Sequence, residues 1–194
     1  MLAQYRLNLN PLDPSNASSS ASALLIRAKE NYGFIPNMFS YMANSPGLYA
    51  TYIEGHDQFR HQSGFSAAEQ EVVFLTISVE NGCEYCVSAH SMIAEVISKL
   101  PTTEINAIRD GAPLTDVKLN ALSVFTKNML LKRGLPSQDD VKHFLAVGYT
   151  EQQILEVILA IAVKTISNYT NHLTHTPLDQ AFAPHAWQDK NTSL

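Results

Sequence analysis

Apolar residues recur at three- and four-residue intervals through most of the chain, and Gly, Pro and polar clusters cut that pattern into helix-length pieces. Leu24, Leu25 and Ala28 carry it over residues 18–31, before Gly33-Phe34-Ile35-Pro36 breaks it. Ser45-Pro46 opens a second segment with Leu48, Tyr52 and Phe59. Ser66, with Glu69 three residues on, reads as a capping box. Val72, Val73, Leu75, Thr76 and Val79 then follow at helical spacing, and Asn81-Gly82 ends the run. Further helices are expected over residues 83–99, which Leu100-Pro101 ends, and over 103–109 and 115–132. One capped by Ser137 should end near Gly148, and the longest and most apolar should span 150–173. No Asn-Gly or Asp-Gly turn joins two alternating apolar runs, so strands have no support. The expected fold class is all-α.

A faint repeat lies under this pattern. At an offset of 84 residues, Gly64-Phe65-Ser66 aligns with Gly148-Tyr149-Thr150, and Val73, Leu75, Ile77 and Val79 align with Val157, Leu159, Ile161 and Val163. Generic patterning of a capped helix produces the same matches, so duplication and coincidence stand level. The offset sets Cys83, Cys86 and His90 against Ser167, Thr170 and Thr174, so only the first copy would hold the chemistry. The 194 residues suit a single domain, with a catalytic half at about 17–100 and a second half at about 101–185.

Composition narrows the class. Apolar residues make up 45% and the net charge is −5. That suits a globular protein, and no basic run or aromatic-basic stripe supports nucleic-acid binding. Residues 1–14 lack the basic start and apolar run of a secretory signal. The longest apolar stretch, 154–166, is too short for a membrane span and is interrupted by Glu156 and Lys164. The expectation is a cytoplasmic protein with no membrane partner. Two cysteines in a chain of this length are no secreted disulfide framework.

Those two cysteines, Cys83 and Cys86, flank Glu84-Tyr85, with His90 four residues further on and Glu71 twelve residues before Cys83. Positions i and i+3 share a helix face, and a helix N-terminus favours a thiolate through its free N–H groups and dipole. His90 lies at i+4 from Cys86, within reach of its sulfur as base or thiolate partner. If the chain reverses at Asn81-Gly82, Glu71 and His90 stand nearly level, about 14 Å from the turn. That would make a relay of carboxylate, imidazole and thiol, with a second thiol to close a disulfide.

The pattern Glu71, Cys83-Glu84-Tyr85-Cys86, His90 resembles the signature of the alkylhydroperoxidase D family, in the carboxymuconolactone decarboxylase-like superfamily. Gly33-Phe34-Ile35-Pro36-Asn37 and Ser45-Pro46-Gly47 are similar to its peroxidase-related members, and residues 168–172 extend the likeness weakly. The resemblance implies an all-helical fold, trimers or hexamers, and reduction of hydroperoxides with electrons from an external thiol or dithiol reductant. It implies Cys86 as the peroxidatic thiol, Cys83 as the resolving one, and Glu71 with His90 as the proton relay. It implies no cofactor and no metal. Some members carry a second histidine between the cysteines, where this chain has Tyr85, a poor base at neutral pH. Strict decarboxylase relatives lack the cysteine pair.

Other readings compete. The same dithiol would serve a protein dithiol–disulfide oxidoreductase. Cys83, Cys86 and His90 with Glu71 could hold zinc, although such pairs normally draw their other ligands from a second segment. Tyr85 reads as a packing residue. Met38 and Met42, with Phe34 and Tyr41, read first as core and second as the lining of a pocket for an organic peroxide. His56 and His61 read as surface, and His172 and His175 as the polar end of the long helix.

Overall fold

The computed structural model describes residues 2–189. Nine α-helices account for most of them: α1 Ser19–Tyr32, α2 Asn37–Met42, α3 Pro46–Gln62, α4 Ala67–Glu80, α5 Glu84–Met92, α6 Thr102–Arg109, α7 Val117–Leu131, α8 Gln138–Ala146 and α9 Glu151–Thr174. A π-helical turn, Ile93–Ile97, extends α5, and a 3-10 helix, Gln180–His185, follows α9. The described residues contain no strand, and the fold is all-α.

Helix α4 is the centre. The Ser66 hydroxyl accepts from the Glu69 N–H and the Glu69 carboxylate from the Ser66 N–H, closing the capping box read from the sequence. Residues 69–78 of this helix are all buried, and α5, α6, α7 and α9 pack around it. A helix apolar on every side belongs inside a core. Helix α3 lies along α9, α1 covers α3, and α8 covers α7. Thr150 caps α9 with a box of its own, closed by Gln153. The residues just before the two boxes, Phe65 and Tyr149, pack edge to face at 5.7 Å.

Three elements depart from the sequence reading. The short α2 had no apolar repeat long enough to announce it. Its Met38, Tyr41 and Met42 are buried in the core beside Phe39. The helix expected over 83–99 begins one residue later, because Cys83 takes an extended N-cap conformation. Its ladder then slips to i→i+5 bonding, with the Ser98 N–H donating to the Ile93 carbonyl. The 3-10 helix was also not foreseen, and it packs on α5 over the cysteine pair.

Candidate active site

Gly82, at φ +64°, turns the chain sharply between α4 and α5. The turn is tied by the Gly82 and Cys83 N–H groups donating to the Val79 and Ser78 carbonyls. The reversal required by the spacing argument is therefore present, and it sets α5 alongside α4. Glu71 and His90 meet across the pair at 2.8 Å, Nδ1 against Oε2, both buried. The other Glu71 oxygen pairs with Arg60 Nη1 at 2.5 Å. Burial pushes the Glu71 carboxyl up, but His90 and Arg60 outweigh it and hold the group below the usual carboxylate range. His90 is held below the usual histidine range by burial first and Lys164 second, against the pull of Glu71. The pair is thus a carboxylate and a neutral imidazole. With Nδ1–H donating to Glu71, the Nε2 lone pair is left as a base.

Both cysteines are free thiols and almost wholly buried. Burial and the neighbouring Cys86 push the Cys83 thiol up. Cys86 goes the other way: burial raises it, but a hydrogen bond from Cys83, the charge of Lys164, His90 and a bond from Ser167 together bring it well below the usual thiol range. The site therefore favours one thiolate, on Cys86, and one thiol, on Cys83. Asn171 adds a further donor, with its Nδ2 3.3 Å from the Cys86 sulfur and 3.7 Å from that of Cys83.

A cavity of about 220 Å³ opens onto Cys83 and is walled by Tyr85, Ser88, Asn171, His172 and Trp187. Cys86 is buried beside Cys83, with the Asn171 amide on its sulfur. Tyr85 does not face the relay. Its hydroxyl donates to Asp179 at 2.5 Å and pins the segment after α9 against α5. The same segment is held by the Trp187 N–H on Ser88 and by His185 against Glu95 at 2.6 Å. Glu71 is turned to Arg60 and His90, away from a ligand role. Among the described residues, no three His, Cys, Asp or Glu side chains are grouped to hold a metal ion.

The structure thus brings Glu71 to His90 and Cys83 to Cys86, and it adds four groups. His56, expected on the surface, is inserted between the rings of Tyr52 and Phe74, at 5.8 and 5.6 Å. Burial and Arg60 press its pKa well down. His61 is exposed as read. Arg60 lies 4.8 Å over Phe74, and Lys164 and Asn171 come from α9. Of these four, only Asn171 fell in a stretch that the sequence had marked, the weak match over 168–172. His172 lines the cavity and His175 caps α9 in the left-handed conformation.

The carboxymuconolactone decarboxylase family model matches residues 46–126, from α3 into α7. The fold is that of an uncharacterized peroxidase-related protein from Ralstonia eutropha JMP134 with an alkylhydroperoxidase AhpD core. The TM-score is 0.80 at 18% identity, over 93% of this chain and 96% of that one. A second peroxidase-related protein, from Silicibacter sp. TM1040, gives 0.75 at 18% identity, over 93% and 95%. The debrominase Bmp8, in complex with 2,3,4-tribromopyrrole, gives 0.73 at 16% identity, over 93% and 96%. No curated protein sequence matches the chain significantly. The fold is thus AhpD-like, and residues 46–126 resemble the carboxymuconolactone decarboxylase family.

Proposed function

We propose that this protein is a thiol-dependent peroxidase that reduces hydrogen peroxide or organic hydroperoxides. The observation that carries the reading is the buried Glu71–His90 pair, 2.8 Å apart, on the helices that present Cys83 and Cys86. The Cys86 thiolate attacks one peroxide oxygen, the O–O bond breaks, and the alkoxide leaves as alcohol after taking one proton. That proton is drawn from water and handed on by His90 Nε2, the ring being oriented by Glu71 through Nδ1. The Cys86 sulfenic acid then condenses with the Cys83 thiol, releasing water and closing the disulfide. Two external thiols, or one dithiol, return two electrons and two protons and are themselves oxidised to a disulfide; Cys83 keeps one proton, Cys86 is left a thiolate, and the other proton is released to water, balancing the one given to the alkoxide.

The cavity supports a small substrate. Both sulfurs are buried, and a passage of about 220 Å³ admits a peroxide more readily than a protein disulfide held in its own fold. The first thiol met on entry is Cys83, so a substrate oxygen reaches Cys86 past Cys83 and Asn171. Free thiols and a reductant-fed cycle fit the cytoplasm, and no single helix among the described residues is long and apolar enough to cross a membrane. Assembly as a trimer or hexamer is part of the same reading. It is supported by large apolar side chains exposed on α9, including Leu155, Ile158 and Tyr169.

The test is peroxide consumption by the reduced protein and its single-cysteine variants. Cys83→Ser should stop after one equivalent with a sulfenic acid on Cys86, and Cys86→Ser should consume none. Full turnover by Cys86→Ser would remove the assignment.

A further inference from the structure

Lys164 lies in the middle of α9 and is 1% exposed, yet its Nζ has no hydrogen-bond partner. A buried ammonium without a partner is among the costliest arrangements a fold can contain. No carboxylate answers it: Glu71 is already engaged by Arg60 and His90. Its neighbour is the Phe74 ring, 5.5 Å from Nζ, and that ring is itself 5.0 Å from the His90 ring. Along α9, Lys164, Ser167 and Asn171 stand at i, i+3 and i+7, one stripe on one face. Asn171 puts its amide on the Cys86 sulfur, so that face is turned toward the cysteine pair.

We propose that Lys164 is the buried counter-ion of the Cys86 thiolate and that it makes the Cys83–Cys86 disulfide more oxidising. The charge has a partner only in the reduced protein. Oxidation converts the thiolate to a neutral disulfide sulfur and leaves the lysine charge with the Phe74 ring but no anion. Reduction takes two electrons and one proton: Cys83 receives the proton, and Cys86 remains a thiolate. The reduced state is thereby favoured, which raises the reduction potential of the pair. Lys164 is a positioning residue here, acting through the charge of Cys86. The lowering of Cys86 by Lys164 has the matching sign.

The other groups around Cys86 do not replace it. Cys83, Tyr52 and His172 are uncharged at neutral pH, as is His90. His56 is held neutral by burial, and Arg60 is taken up by Glu71. Lys164 is the one cation left over among the described groups at the site.

The inference rests on the dithiol being redox-active, but its test needs no peroxide. The S–H stretching bands of the reduced protein, followed with pH by Raman spectroscopy, report each thiol without a reagent having to enter. At pH 7 the wild type should show one thiol, and Lys164→Met should show two. The missing band should return through a midpoint shift of at least about one pH unit, as expected on losing an opposite charge in a buried site. Equilibration with glutathione should favour the disulfide about tenfold more in Lys164→Met, equivalent to about 30 mV. If that variant does not fold, Lys164→Gln, which keeps a donor but no charge, carries both readouts. An unchanged S–H titration, or a glutathione equilibrium within twofold of wild type, would overturn the proposal. A shifted titration in a protein that ignores peroxide would leave it standing and remove the peroxidase reading instead.

Discussion

Helices α4 and α9 begin alike and end differently, and the candidate site lies in the difference. Each starts at a hydroxyl N-cap with a closed capping box, behind an aromatic residue. Helix α4 is broken at Asn81-Gly82, and the chain turns back as α5. Helix α9 continues through the corresponding positions for another turn and more, to Thr174. The break creates a fresh helix N-terminus for the cysteines and lays His90 against Glu71. The unbroken helix offers a straight stripe, which puts the Asn171 amide on the Cys86 sulfur and carries Ser167 and Lys164 on the same face. Titrating groups come from the broken element, and fixed charge and donors come from the continuous one.

The largest effect on this division should come from the broken helix. Cys86→Ser should eliminate peroxide turnover in a stopped assay, and Cys83→Ser should limit it to one equivalent. A bulky peroxide should oxidise Cys86 faster in Cys83→Ala than in Cys83→Ser, because the smaller side chain widens the cavity wall at Cys83.

Next in size is Glu71→Gln. It removes the carboxylate that orients His90, and the rate of peroxide reduction should fall by roughly 10²-fold. Since it also strands Arg60, the fold should lose about 3–5 kcal/mol in denaturant titration. A stable Glu71→Gln protein with wild-type kinetics would break the relay. On the continuous helix, Asn171→Leu should slow the peroxide step by about tenfold, the worth of one hydrogen bond to a charged group. Rapid-mixing kinetics on the reduced protein would read it.

Acid should expose the broken helix again, more gently. His56 and His90 are held below their ordinary value, so the unfolded chain takes up protons first. Their contribution is complete above about pH 6.5 and is lost as pH falls below that point. Glu71 is likewise lowered, and its contribution is complete above about pH 4.3 and lost as pH falls through its folded value. Melting temperatures should therefore decline in two stages on acidification, the second of which Glu71→Gln should reduce, with Glu69 and Asp140 supplying part of what remains. The smallest effects should be equal on both helices: Ser66→Ala and Thr150→Ala should each cost about 1 kcal/mol.

How much of this was legible in the sequence follows from the same contrast. Glu71, Cys83, Cys86 and His90 could be found because their relation depends on helix spacing and one turn, and the turn is written in Asn81-Gly82. The caps of α4, α8 and α9 were legible for the same local reason. Lys164 was not, because a lysine in an apolar helix ordinarily carries its charge out to water along its own stem. Only the packing of α3 and α4 against α9 denies it that route. Arg60 and His56 escaped for a related reason: an Arg and a His one turn apart look like solvated surface until Phe74 and Glu71 arrive from another helix. Short α2 and the 3-10 helix have too few residues for a periodic signal, and their place is set by what they cover.

The most direct test of the account is to treat reduced protein with one equivalent of cumene hydroperoxide, count thiols before and after, and map the product by mass spectrometry. The account predicts loss of both thiols, one equivalent of alcohol, and a Cys83–Cys86 disulfide. Two retained thiols beside unconsumed peroxide would contradict it.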